Sequence, residues 1–275
     1  MGKLIKIDEQ FTAIVQQVKN VAGMLWDKGW AEANAGNLSI DVTDSCLYFD
    51  KKKNIQKSNV VLRQDGYANL KGRRILITGS GCRFRDIAKD PESGMSIIQI
   101  SEDGLKCCIL DAGGFNKDIR PTSELATHLL LHDYFRKKSL KDRVVIHTHP
   151  TELVALSQIK RFWNEDIFNS RLHGMLPEVK VVIPKGAGLV DYALPGSEKL
   201  AISTLEKISN GFSVIMWQKH GCLAVSDSPV SAFDAIDILN KGAQVLLACL
   251  NAGETPEGLS GTELTELKQA FNLLY

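Results

Sequence analysis

The chain has 275 residues, of which 24% are charged and 44% hydrophobic, and its 33 basic and 32 acidic side chains leave a formal net charge of +1. So even a balance supplies no overall field for nucleic acid or an anionic membrane, which directs attention to a small-molecule partner. No run approaches the ~18 apolar residues of a membrane span, and the opening Met1–Gln10 stretch lacks the apolar core of a signal peptide, so the expected location is the cytoplasm.

Taken in chain order, the first element is a long amphipathic helix over residues 11–30. Phe11, Ile14, Val15, Val18, Val21, Ala22, Leu25 and Trp26 form its apolar stripe, and Gly29 ends it. After the Gly36-Asn37 turn, the short apolar runs 38–40, 46–49, 74–78, 95–100 and 107–110 read as antiparallel strands separated by Gly, Asp and Ser clusters. The basic, aperiodic stretch from Lys51 to about Lys71 reads as a solvated loop. A second helix opens at Pro121-Thr122-Ser123-Glu124, with Thr122 or Ser123 as its cap. Beyond it, 144–149 is a predicted strand, 151–160 a helix, 179–183 a strand, and 197–209 a helix. Residues 212–217 and 222–225 form a hairpin around Lys219-His220-Gly221, and the last third is helical over 230–250 and 262–271. The elements interleave without a regular βαβ rhythm, and neither a repeat nor a Pro/Gly-rich linker divides them. The expected fold is therefore a single α/β domain over residues 1–275, with a mainly antiparallel central sheet covered by helices. The six scattered cysteines lack Cys-x-x-Cys spacing and read as small buried hydrophobes.

The chemistry concentrates in Val144-Val145-Ile146-His147-Thr148-His149-Pro150. Alternation along a strand sends His147 and His149 out of the same face, and two polar rings there need a shared partner, most simply a divalent metal. His220 in Gln-Lys-His-Gly is available as a third imidazole. Three imidazoles with an open position make the catalytic kind of zinc site. Glu124, at the start of its helix, is the carboxylate placed for proton transfer beside such a metal, although its position suits an early-turn cap equally well. His128 and His132 stand four apart on the same helix and read either as a rival metal pair or as packed, hydrogen-bonded rings. Asn34-Ala35-Gly36-Asn37 and Thr78-Gly79-Ser80-Gly81 could hold an anion through backbone N–H groups, but neither matches a nucleotide-binding pattern.

Taken in order, Asn34-Ala35-Gly36-Asn37-Leu38-Ser39, Thr78-Gly79-Ser80-Gly81, Pro121-Thr122-Ser123-Glu124, His147-Thr148-His149 and His220-Gly221 resemble the class II aldolase/adducin family over roughly residues 10–250. The resemblance implies one zinc ion per subunit on His147, His149 and His220, with Glu124 as acid/base. It also implies a substrate phosphate among Asn34, Asn37, Ser80, Gly81, Thr122 and Ser123. Chain length, Lys28-Gly29-Trp30 and Lys141-Asp142-Arg143-Val144 are most like the branch that cleaves L-rhamnulose 1-phosphate reversibly to dihydroxyacetone phosphate and L-lactaldehyde through a metal-stabilised enediolate. That branch implies a homotetramer with sites near its interfaces, and Glu178, read at the start of a strand, as a second glutamate acting on a neighbouring subunit's substrate. Ala31-Glu32-Ala33 departs from the pattern by lacking a basic residue, which shifts the expected phosphate binding toward backbone donors. The competing expectations are fuculose-1-phosphate aldolase or ribulose-5-phosphate 4-epimerase chemistry on the same metal, and a non-catalytic adducin-like interaction module.

Overall fold

Helix α1 (Glu9–Asp27) buries Phe11, Ile14, Val18, Val21, Ala22 and Leu25, the stripe expected from the sequence, and the chain leaves it through Gly29 at φ 69°. The structure is a computed structural model that describes residues 9–45, 60–62, 65–110, 115 and 118–275; the predicted strand 46–49 and most of the basic loop fall outside the described residues. Strands β1 (Asn37–Asp41), β2 (Val60–Val61), β3 (Arg74–Thr78), β4 (Met95–Ile100) and β5 (Lys106–Leu110) follow, with short helices α2 (Phe84–Ile87) and α3 (Pro91–Gly94) between β3 and β4. Next come α4 (Leu125–Lys137), β6 (Val144–Thr148), α5 (Thr151–Ser157), α6 (Glu165–Met175), α7 (Pro177–Val182) and β7 (Ala187–Val190). The chain closes with α8 (Glu198–Ser209), β8 (Val214–Trp217), β9 (Gly221–Ser226), α9 (Pro229–Asn251) and α10 (Gly261–Ala270).

Among the described residues the strands make one sheet in the order β2-β5-β4-β3-β1-β6-β9-β8-β7. Each neighbouring pair is antiparallel except β7 with β8, so the sheet is mainly antiparallel, as expected. Alternation divides its residues between two helical layers. Leu38, Ile40, Leu76, Ile97, Val144, Ile146, Met216 and Ala224 face the layer built from α1, α5, α6, α7 and α9. Val145, Ile215, Trp217, Leu223 and Val225 pack against Leu131 and Phe135 of α4 and Leu200 and Ile208 of α8, while Ile75, Ile77 and Ile98 meet Leu129 of α4. Asn37, Ser39 and His147 share the parity of this second face and are buried on it.

Two sequence expectations need correction, and two elements were not foreseen. The predicted strand 179–183 is not formed: residues 179–182 are helical, within α7, and Ile183 is its C-cap, because Pro177 stands at N1 and presets the helical φ, and Val179 is buried against Gly242 of α9, so packing overrides the strand preference of Val-Lys-Val-Val. The strand that joins the sheet there is β7, whose Ala-Gly-Leu-Val carries little strand signal and starts beyond Gly186 at φ 84°. The cap of α4 is neither Thr122 nor Ser123. Glu124 holds that position, without a side-chain capping bond, and Thr122 Oγ1 accepts the Glu124 N–H at 3.3 Å just upstream. Helix α6, capped by Asn164 Oδ1 on the Ile167 N–H, was not foreseen.

Candidate active site

β6 lies between β1 and β9, with His147 opposite Asn37 on one side and Leu223 on the other. His149 stands just past the end of β6, where its N–H donates to the Trp30 carbonyl at 2.9 Å, and the tight β8–β9 turn presents His220 from across the sheet. Lys219 occupies that turn at φ 60°. The three imidazoles form a triangle, with ring centroids 5.1 Å apart for His147 and His149, 4.8 Å for His147 and His220, and 5.3 Å for His149 and His220. One nitrogen from each lies within 4.8 Å of the others. Gly221 makes this approach possible, because a Cβ there would stand 2.5 Å from the Thr148 carbonyl oxygen and 2.7 and 2.8 Å from the rings of His147 and His149.

The hydrogen bonds orient each ring. His147 Nδ1–H donates to the Cys222 carbonyl at 3.0 Å, leaving Nε2 as a lone pair. His149 Nδ1–H donates to Glu32 Oε1 at 2.8 Å, and its Nε2 is buried without a hydrogen-bond partner, as is Nδ1 of His220. Trp217 closes the floor of the triangle 4.4 Å from the His147 ring, its indole N–H donating to Thr204 Oγ1 at 2.9 Å. Burial and the neighbouring rings hold His147 well below the usual imidazole range, and burial with His149 brings His220 down to about 4, so both are neutral near pH 7.

Glu124 enters from α4. Its Oε2 lies 3.9 Å from His147 Nε2 and its Oε1 3.8 Å from His220 Nε2, while Asn37 Nδ2 donates to Oε2 at 2.9 Å. Burial raises the pKa of this carboxyl above its ordinary value, with the Asn37 hydrogen bond and the nearby His149 opposing. A carboxylate and neutral imidazole nitrogens thus face one another as acceptors with no proton to share. A divalent cation satisfies that arrangement together with the orphaned Nε2 of His149, so the donor set fits a metal. The capping alternative for Glu124 is not realised.

The remaining predicted residues divide. Asn37, the Thr78–Gly81 turn and Pro121–Glu124 are brought to one end of the sheet: Leu38 N–H donates to Thr78 Oγ1, Thr122 N–H to the Thr78 carbonyl and Ser80 N–H to the Arg120 carbonyl. Ser80, Gly81 and Ser123 are exposed there and Thr122 is buried, while Asn34 is exposed in the turn that leads into Asn37. Glu178 is not part of this cluster. It is exposed in the first turn of α7. His128 and His132 are not a metal pair: both are buried and bonded to Ser39, and His128 also to Asn37. Sequence reasoning missed Glu32, whose bond to His149 joins residues 117 positions apart with no local pattern to signal it.

The profile of the class II aldolase and adducin N-terminal domain matches residues 16–247. The chain belongs to this family. Among its relatives, a rhamnulose-1-phosphate aldolase of Bacteroides thetaiotaomicron is 36% identical over 263 residues, 94% of each chain, and one from Klebsiella pneumoniae is 29% identical over 260 residues, 94% of this chain and 93% of that one. A sugar-phosphate aldolase structure from Thermotoga maritima superposes with a TM-score of 0.75 at 29% identity, covering 90% of this chain and 100% of that one. The resemblance read from the five motifs is confirmed, and within this class II aldolase fold the histidine triangle occupies the sheet's central seam. No helix among the described residues is long and apolar enough to cross a membrane.

Proposed function

We propose that the protein is a zinc-dependent aldolase that reversibly cleaves L-rhamnulose 1-phosphate to dihydroxyacetone phosphate and L-lactaldehyde, acting as a cytoplasmic homotetramer. The observation that carries this reading is Glu124, buried and aimed at three convergent imidazoles, in a chain with relatives of that name over nearly its whole length. His147, His149 and His220 would hold the ion. When bound, zinc would polarise the ketose carbonyl and take up charge left by the breaking C3–C4 bond.

The protein's own groups would do the rest. Glu124, with its proton affinity raised by burial, is suited to deliver a proton to C3 after cleavage and to remove it in the synthetic direction. Asn37 fixes that carboxyl, and Glu32 fixes the His149 ring. Asn34, Asn37, Ser80, Gly81, Thr122 and Ser123 would receive the phosphate dianion, where the open Gly81 turn at φ 77° exposes backbone donors in place of a basic side chain. Glu178 would take the C4 hydroxyl proton from the side of an adjoining subunit, a role that its exposure on α7 permits.

The test is release of dihydroxyacetone phosphate from L-rhamnulose 1-phosphate, with L-fuculose 1-phosphate and L-ribulose 5-phosphate in parallel, before and after chelation and zinc add-back. Chelator-sensitive release, restored by zinc and fastest with the rhamnulose ester, is expected. Preference for the fuculose ester would reassign the substrate, and no triose phosphate from metal-loaded protein would overturn the aldolase reading.

A further inference from the structure

Glu124, His128, His132 and Arg136 recur at every fourth residue of α4 and its approach, and Asn37, Ser39 and Asp41 at every second residue of β1. The two periods bring one polar stripe of the helix against one polar face of the strand. Their side chains bond in sequence. Asn37 Nδ2 meets Glu124 Oε2 at 2.9 Å, Asn37 Oδ1 meets His128 Nε2 at 2.5 Å, and Ser39 Oγ joins His128 Nδ1 at 2.6 Å to His132 Nε2 at 2.8 Å. All four β1–α4 bonds are buried.

Donor polarity is determined along the whole chain. The Glu124 carboxyl, facing acceptor nitrogens, demands the amide NH2 of Asn37, so Oδ1 must receive a proton from His128 Nε2. His128 is neutral, since burial depresses it to about 3, and its Nδ1 is therefore a lone pair that accepts the Ser39 hydroxyl proton. Ser39 then has lone pairs left for the His132 Nε2–H. A flipped Asn37 would set oxygen against carboxylate and nitrogen against an N–H, two buried mismatches.

We propose that Ser39, His128 and His132 are positioning residues that lock the Asn37 amide with its NH2 toward Glu124 and thereby hold the acid/base carboxyl against the histidine triangle. The proposal rests on the acid/base reading of Glu124. It also leaves Asn37 only one amide hydrogen for a substrate phosphate.

Ser39→Ala and Ser39→Thr provide the test, the first removing the shared hydroxyl and the second retaining it with a methyl that a strand tolerates. In metal-free protein labelled with 15N at the six histidine rings, His128, assigned by its loss in His128→Gln, should show a protonated Nε2 and a bare Nδ1. Ser39→Ala should mix its tautomers, lower kcat for the sugar phosphate by roughly 10- to 100-fold and leave KM and bound zinc within about twofold, and Ser39→Thr should restore both signals. A wild-type His128 protonated on Nδ1, an unchanged kcat in Ser39→Ala, or a Thr variant as impaired as Ala would overturn the proposal. If the His128 tautomer is as stated but Glu124→Gln turns over normally, the acid/base reading fails while the locked amide stands.

Discussion

Gly221→Ala tests whether the separation of β6 and β9 sets the metal centre. The new methyl would stand 2.5 Å from the Thr148 carbonyl oxygen, a backbone atom that no rotamer change can move, and within 2.8 Å of both His147 and His149. Reaching an ordinary C···O contact of about 3.3 Å requires the strands to part by about 0.8 Å. Zinc–nitrogen bonds hold to within roughly 0.2 Å, and His220 follows β9 while His147 and His149 follow β6, so the triangle opens beyond what the ion tolerates. Zinc affinity should drop by ~10–100-fold or more, which is about 1.4–2.7 kcal/mol, and the metal-free protein should lose ~1–3 kcal/mol from overpacking. Competition against a chromophoric chelator measures the first and urea unfolding of the metal-free protein the second. Gly261→Ala is the control: neither glycine lies at positive φ, and no atom lies within 4 Å of the methyl added at 261, so zinc binding should not change. Wild-type zinc affinity in Gly221→Ala would refute the argument.

Glu124→Gln should retain zinc in a metal assay and lose aldol cleavage by ~10²–10⁴-fold, because the amide cannot carry the proton. Gly36→Ala should cost more than ~2 kcal/mol in chemical denaturation, since φ is 77° and the methyl would meet the His147 carbonyl oxygen at 2.8 Å and the Phe84 ring at 2.9 Å. His132, depressed by burial to about 4, remains neutral in the folded protein while its unfolded counterpart protonates below about 6.5. Its contribution is therefore complete above pH 6.5 and lost as pH falls, by about 2 kcal/mol between pH 6.5 and 5. Metal-free wild type should show that extra proton in the pH slope of unfolding, and His132→Gln should not.

The parts of the site legible in the sequence were those whose spacing matches a single element. His147 and His149 show their common face through period two, and the α1 stripe shows its buried side through period 3.6. What pattern could not decide was a choice between partners on different elements. Glu124 as cap or acid, and His128 with His132 as ligands or core, are settled only by β1 lying against α4, where Asn37 and Ser39 supply the hydrogen bonds. Glu32 was unreadable for the same reason. In the fold, local propensity misled at α7, where Val179 packs on α9, and was silent at β7, whose place in the sheet comes from parallel pairing with Val214–Trp217.

The contact between α4 and β1 also behaves as a vernier. Four residues of helix advance about 6.0 Å and two of strand about 6.8 Å, so the two scales slip by roughly 0.8 Å at each step. Measured from Glu124 and Asn37, Asp41 stands two strand steps out at about 13.6 Å, between His132 at about 12 Å and Arg136 at about 18 Å, so no helix mark meets it: Arg136 Nε reaches Asp41 only at 3.9 Å and is buried without a hydrogen bond, while Arg73 takes that carboxylate at 2.6 Å. The misfit therefore accumulates at the end farthest from the histidine triangle, where a second arginine absorbs it. Such a pairing can run for only about two steps, and this chain places its zero at the carboxyl whose position matters most.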